Sequence, residues 1–465
     1  MKYLEIIRKN MRIKLNLLAG FAAALALTAC SSDSSVNTTS EKTTVLPLQP
    51  SATESTQSTE FVIPPRVKET EIDISGLMEK TSESFKSDAF ARNLFAEMKE
   101  NIENQFVSPY SISTALVMLY GGAAGVTAEE LGQVLGSGDA VATLNLYAGL
   151  QDWLTKKPEL SEKNEGNTPN GDTLNIANSL WPNQGFPFRQ EYIRTMQDYL
   201  SSEVYPTDYS KVEEARGEIN QWVENKTENL IKDLIQPGVL SENTQMTLVN
   251  AIYFKGSWEK PFDKKLTQNA QFTLLDGSQI EVPFMSQQEN YHYYGDETLQ
   301  IVRLPYRENR SMVIILPRDT EKFAEVREAY CQGKYQQTIN QLSMRKVNFK
   351  MPRFKMSQNL DLNDLLIKMG VGSMFDPEKA DFSGMYNRGE LPNLFVSKVI
   401  HQAFVEVDEV GTEAAAATAG IMLTKAMPQS EKPEVMIVDR PFIILIKENI
   451  SNQTLFEGQV MNPVE

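Results

Sequence analysis

Helix-like and strand-like patterns are segregated along this chain instead of alternating. SDAFARNLFAEMKE, SISTALVMLYGG and EEARGEINQWVENKT, in the first half, carry apolar residues at helical spacing, whereas TLVNAIYFKG, SMVIILP, KVNFKMPRF, PFIILIKE and TLFEGQVMNP read as strands. Regular alternation would call for a parallel sheet with crossover helices. Segregation calls for an α+β fold with mostly antiparallel sheets. Residues 66–465 contain no second linker and no repeat of fixed period, so they read as one large domain.

One stretch breaks the pattern. GTEAAAATAG, Gly411 to Gly420, follows the strand-like IHQAFVEVDEV, yet an alanine run favours helix and this one has no apolar stripe to bury. A segment whose local preference and setting disagree points to a functional site.

The N-terminus is a targeting segment. Arg8, Lys9, Arg12 and Lys14 precede LLAGFAAALALTAC, an apolar run too short for a comfortable membrane span, with Met11 an alternative start to Met1. Leu27-Thr28-Ala29-Cys30 resembles a bacterial lipoprotein box: residues 1–29 are a signal peptide and Cys30 is the lipidated first residue of the mature chain. The expected location is outside the cytoplasm, anchored in the outer membrane and facing the periplasm or cell surface, or extracellular. From Cys30 to residue 65 the chain is Ser/Thr-rich and almost free of aromatics, which cannot offset its ordering entropy, so it reads as a flexible tether.

The formal charge is -16, and loss of residues 1–29, with five basic and one acidic residue, takes it to -20. With no basic cluster in the domain, nucleic acid and heparin are excluded as partners. If Cys30 is acylated, Cys331 stands alone and no disulfide holds the fold.

Enzyme chemistry finds little to build on. The two histidines, His292 and His401, belong to no HExxH; there is no CxxC, GxSxG, GxxxxGK[ST] or GxGxxG, and no metal or cofactor is expected. A serine hydrolase built on His401 with Ser108 or Ser111 is arithmetically open. Neither serine, however, sits on the strained turn that exposes a nucleophile.

Eight blocks point elsewhere. NQFVSPYSISTALVMLYGGAAGVTAEEL (Asn104 to Leu131), TLNIANSLW (Thr173 to Trp181), LVNAIYFKGSWEKPF (Leu248 to Phe262), LPYRENRSMVIILP (Leu304 to Pro317), KVNFKMPRF (Lys346 to Phe354), HQAFVEVDEVGTEAAAAT (His401 to Thr418), VDRPFIILI (Val438 to Ile446) and LFEGQVMNP (Leu455 to Pro463) resemble the serpin family, in family order across the whole domain. The resemblance implies three mostly antiparallel β-sheets, eight or nine helices, and an exposed, metastable reactive loop at about 409–433. It also implies a monomeric, non-enzymatic, suicide inhibitor of serine or cysteine proteases. In the family, the cut loop enters the largest sheet as a new strand and carries the acylated protease with it. A non-inhibitory serpin, acting as carrier or scaffold, is the alternative.

The resemblance gives residues roles. Glu409, Gly411, Thr412, Glu413, Ala414, Ala415, Ala416, Ala417 and Thr418 form the hinge. Ser108, Ser111, Asn250 and His401 form a polar shutter beneath the sheet, and Gly256 and Trp258 lie where the loop enters. Insertion then accounts for the alanine run. With Thr412 as first inward residue, Ala414, Ala416, Thr418, Gly420 and Met422 follow inward, and Glu413 faces out. A slip of one residue would bury that carboxylate without a partner. The family's usual spacing from Gly411 places the scissile bond at Lys425-Ala426, which suits a trypsin-like protease with an acidic pocket. Ile421-Met422-Leu423 offers alternative bonds to chymotrypsin-, elastase- or subtilisin-like enzymes, and AMPQSEKP (Ala426 to Pro433) is longer than in many relatives.

Overall fold

The computed structural model describes residues 87–98, 103–155, 172–412 and 432–464, all within one compact unit, 61–465. The expectations for the signal peptide, Cys30 and the tether lie outside these residues, as do Glu413, Ala414, Ala415, Ala416, Ala417, Thr418, Lys425 and Ala426 of the reactive loop.

The described residues form nine α-helices: α1 (Ser87–Glu97), α2 (Pro109–Tyr120), α3 (Gly125–Leu135), α4 (Ala140–Thr155), α5 (Gln190–Leu200), α6 (Val212–Lys226), α7 (Phe323–Cys331), α8 (Gln336–Asn340) and α9 (Asn363–Met369). Helix α2 is buried at every residue, as a helix apolar on all sides must be. Its start is set locally: Pro109 supplies a pre-formed first turn, and the Ser108 hydroxyl accepts the Ser111 N–H at 3.1 Å.

Two hydrogen-bonded networks of strands pack around the core. The six-stranded one runs β10 (Phe354–Asp361), β11 (Lys398–Val407), β12 (Gly411–Thr412), β4 (Met246–Ser257), β2 (Thr173–Pro182), β3 (Glu203–Val204). One face lies on the main core with α2. On the other, Ala177, Val249, Ala251, Tyr253, Ile400 and Phe404 meet Ala215, Ile219 and Val223 of α6. Cover on both faces explains why β4 and β11 are buried along nearly their whole length.

The nine-stranded network follows β1 (Gln105–Val107), β15 (Thr454–Val460), β14 (Phe442–Glu448), β8 (Arg310–Pro317), β7 (Leu299–Pro305), β6 (Gln279–Gly295), β9 (Ser343–Pro352), β13 (Glu434–Ile437), with β5 (Gln268–Thr273) on β6. Strand β6 is 17 residues long. It pairs with β5 and β9 along most of its length and with β7 only at its end, His292–Gly295. Divided at that strand, the network is two sheets, which with the six-stranded sheet makes the three the resemblance implies. All but three of the pairings are antiparallel; β2 with β3, β9 with β13, and β4 with β11 are parallel.

Candidate functional site

The parallel pair at the centre of the six-stranded sheet is a seam. Lys398 to Phe404 of β11 pair in register with Thr247 to Tyr253 of β4, and above Phe404 the two strands separate. The chain fills the gap with its own continuation. Asp408 closes a tight turn, its Oδ1 accepting the N–H groups of Val410 (2.8 Å) and Gly411 (3.1 Å). The chain then reverses into β12, where Thr412 pairs with Val407 on one side and Gly256 on the other, and Gly411 with Ser257. Both pairings of this two-residue strand are antiparallel.

Gly411 is required by close approach. A Cβ at this position would lie 1.9 Å from the Gly256 carbonyl oxygen. At Gly256 a Cβ would run into the Phe254 and Tyr306 rings, so glycine at both positions lets β12 lie against the end of β4.

Trp258 and Glu409 hold this entrance. Trp258 is buried and stacks on Tyr306, with centroids 4.5 Å apart. Its backbone N–H donates to Val410 O and its indole N–H to Asp408 O, both at 2.9 Å. The buried Glu409 carboxylate accepts from Arg353 Nε at 2.8 Å, and from Arg353 Nη2 and the Thr267 hydroxyl. Burial pushes its pKa up, but the bonds from Thr267 and Arg353 outweigh that and hold it below the usual carboxylate range.

Below the entrance a polar row crosses three neighbouring strands, because the registers place His401 beside Asn250 and Asn250 beside Asn178. The Ser108 N–H donates to His401 Nε2 at 3.2 Å. That nitrogen is therefore the acceptor, and the ring proton sits on Nδ1, donating to Asn250 Oδ1. The Asn250 amide in turn donates to Ser111, whose carbonyl lies at 3.0 Å, and to Asn178 Oδ1. Asn178 Nδ2 has no hydrogen-bond partner among the described residues. His401 is fully buried, which pushes its pKa down to about 3 and keeps it neutral.

This geometry does not support a hydrolase built on His401 with Ser108 or Ser111. The imidazole meets the backbone N–H of Ser108, while the Ser108 hydroxyl donates to Leu455 O at 2.6 Å and accepts the Ser111 N–H. Neither the Ser108 nor the Ser111 hydroxyl is aligned with the imidazole, and both serines and His401 are fully buried.

Ser108, Ser111, Asn250 and His401 thus share one network, and Glu409, Gly411, Gly256 and Trp258 meet at the seam's open end. Asn178, Asp408, Arg353 and Thr267 were not singled out in the sequence. Asn178 carried a signal: it shares the period-two parity of Leu174 and Leu180, which are buried in the main core, and a polar residue on a core parity calls for partners.

A sequence model described as Serpin (serine protease inhibitor) matches residues 86–463. Leukocyte elastase inhibitor A of Rattus norvegicus is 35% identical over 387 residues, 80% of this chain and 97% of its own. Arabidopsis AtSerpin1 in its native stressed conformation superposes with a TM-score of 0.73 at 28% identity, covering 83% of this chain and 98% of that one. Human thyroxine-binding globulin in complex with its ligand gives 0.72 at 30% identity, over 84% and 100%.

Proposed function

Since the chain belongs to the serpin family, whose members include protease inhibitors, we propose that it is itself a single-use trap for serine or cysteine proteases, working by insertion of its cut loop into the β4–β11 seam. One observation carries this reading. Gly411 and Thr412 of the hinge already lie between these strands, antiparallel to both. Extension of β12 downward replaces one parallel pairing by two antiparallel ones, which are the more stable per residue. An inserted strand of about fifteen residues at about 0.5–1.5 kcal/mol of net hydrogen bonding each gives roughly 8–20 kcal/mol, comparable to the stability of a whole domain.

The register supports the composition argument. With position 412 opposite Gly256 and Val407, alternation carries Ala414, Ala416, Thr418, Gly420 and Met422 to the same face and Glu413 to the other. Small or uncharged residues meet the core side, and the carboxylate is left for the opposite face.

The target is a trypsin-like protease cutting Lys425-Ala426, with chymotrypsin-, elastase- or subtilisin-like enzymes cutting within Ile421-Met422-Leu423 as the other candidates. Lipid on Cys30 holds the inhibitor at the outer membrane, and the tether gives it reach. Similarity to thyroxine-binding globulin, a ligand-bound member of the fold, supports a second reading as a carrier. Incubation with a panel of these four protease types, followed by denaturing electrophoresis, decides between them. A covalent complex is expected. Clean cleavage without complex by every enzyme of the panel overturns trapping and leaves the carrier.

A further inference from the structure

The β2–β4 ladder ends at Thr173 with Lys255, but β4 runs on to Ser257. Where β2 has stopped, the side chain of its preceding residue takes over: Asp172 Oδ1 accepts the Ser257 N–H at 3.0 Å. This carboxylate is fully buried, and its Oδ2 makes no hydrogen bond. Beside it lies the buried Arg310 guanidinium, 5.9 Å from the centre of the Phe254 ring. Arg310 Nη2 donates to Leu154 O at 2.7 Å. Its Nη1 stands 3.9 Å from Asp172 Oδ2 and 3.6 Å from Glu308 Oε2, hydrogen-bonded to neither. Two carboxylates therefore share one buried cation at near-contact distance. Burial pushes Asp172 up to about 7, with the Ser257 N–H and Arg310 pulling it back.

Ser257 is where this cluster meets the seam. Its N–H goes to Asp172, and its carbonyl accepts the Arg307 N–H at 2.9 Å. Its neighbours face the other way: Gly256 stands opposite Thr412, and the Trp258 N–H bonds Val410 O. The end of β4 is thus held from the β2 side by a carboxylate and from the hinge side by two backbone contacts. A strand end past its ladder frays unless its N–H groups find acceptors, and a carboxylate is the strongest acceptor a side chain offers.

We propose that Asp172 is a positioning residue for the hinge: by anchoring the Ser257 N–H it fixes the end of β4 at the spacing from β11 that seats Gly411–Thr412, with Arg310 and Glu308 steering its carboxylate. The consequence for trapping, that a released clamp lets the loop enter before it is cut, rests on the inhibitory reading above. The clamp itself does not.

Amide hydrogen exchange on the full chain, without protease, tests it. In Asp172→Ala, exchange in segments 255–258 and 408–412 is expected to accelerate by about tenfold or more, with segment 443–460 at the wild-type rate. Asp172→Asn keeps an oxygen for Ser257 and is expected to stay within about threefold of wild type in 255–258. Wild-type rates in Asp172→Ala overturn the proposal, and an Asn variant as fast as the Ala variant overturns the Ser257 anchor. Should Asp172→Ala lose protection in 443–460 as well, Asp172→Glu replaces it. That variant keeps charge and acceptor but shifts both by one methylene, and faster exchange in 255–258 is again expected, with a wild-type rate overturning the clamp. A protein that traps no protease leaves these outcomes standing, and unaltered exchange leaves the inhibitory reading standing.

Discussion

The centres of the two strand networks are built on opposite plans. In the nine-stranded one, β8, β14 and β15 pair antiparallel and every one of their residues is buried. In the six-stranded one, the central pair is parallel and a polar row of His401, Asn250 and Asn178 runs across it. Both contain buried polar groups, but they are wired differently. Lys447 bonds Asp88 of α1 as well as Thr454 of β15, and Glu457 accepts the Tyr330 hydroxyl of α7 at 2.7 Å, so each of these polar groups reaches a helix. His401, Asn250 and Asn178 tie strand to strand and to the start of α2. A sheet that has to part gains from hydrogen bonds that can exchange partners, where close-packed side chains would resist.

The largest expected way to separate the two plans is acid. In the unfolded chain the His401 imidazole takes up a proton below about pH 6.5, and in the folded seam only near pH 3. Between those values the unfolded state binds more protons, so the histidine contribution is complete above pH 6.5 and falls by about 1.4 kcal/mol per pH unit on acidification. Glu457 works in reverse. Burial raises it from 4.5 to about 7, so the folded state binds the extra proton and acid stabilises it as pH falls from about 7 to 4.5. Chemical unfolding of wild type and His401→Gln across pH 7 to 4 is expected to give stability differences with that histidine slope. Parallel curves would mean that the seam does not hold a neutral imidazole.

Next in size is a cavity. Ile444 on β14 is fully buried in the main core, and Ile444→Ala is expected to cost about 2–5 kcal/mol. If the cut loop inserts as proposed, only the six-stranded sheet is rebuilt, and the loss should be equal in intact and loop-cleaved protein. Calorimetry of the two forms checks this, and a loss confined to one form would show that the nine-stranded network takes part in the transition.

These contrasts were legible to different depths in the sequence. The fully buried strands showed themselves as apolar runs such as SMVIILP and PFIILIKE. The shutter residues came from the family pattern, since no local rule reveals that a serine starting α2 will face a histidine 293 positions away. Arg353 and Asp172 were invisible for a related reason. A charge at the end of a strand pattern normally faces water, and only the crossing of elements distant in sequence buries Asp172 next to Arg310. The joining of two sheets through β6 was hidden as well, because strand patterns give parity but not partners.

Third comes the hinge itself. Thr412→Arg is expected to turn the trap into a substrate. Residue 412 already lies between β4 and β11, so an arginine there drives the hinge out of the seam, and insertion then has to bring the unpaired guanidinium back into the interior. About 3 kcal/mol on the insertion barrier slows it roughly a hundredfold, so deacylation wins and active protease is released. Denaturing gels should show cleaved inhibitor without complex, and the cleaved product should lack the rise in thermal stability expected of wild type. A full yield of complex would show that residue 412 does not enter on the core face.

The smallest effect belongs to the proposed scissile bond. On the proposed function Lys425 is read by the protease before the seam opens, so changing it should alter which enzyme starts the transition and leave the transition alone. A lysine in an acidic specificity pocket forms a desolvated charge pair, and its loss typically costs binding by about tenfold or more. Lys425→Ala is therefore expected to slow association with a trypsin-like enzyme by about tenfold. Inhibition of an elastase-like enzyme that cuts within Ile421-Met422-Leu423 should stay as it was. The stability gained on cleavage should also match wild type, because the same hinge residues enter the same seam. Stopped-flow association rates with both enzymes, together with melting of the cleaved products, measure the two halves separately. A lower stability gain in Lys425→Ala would place that lysine within the inserted strand and lengthen the insertion beyond the bond assigned here; an unchanged rate with the trypsin-like enzyme would move the scissile bond elsewhere in the loop.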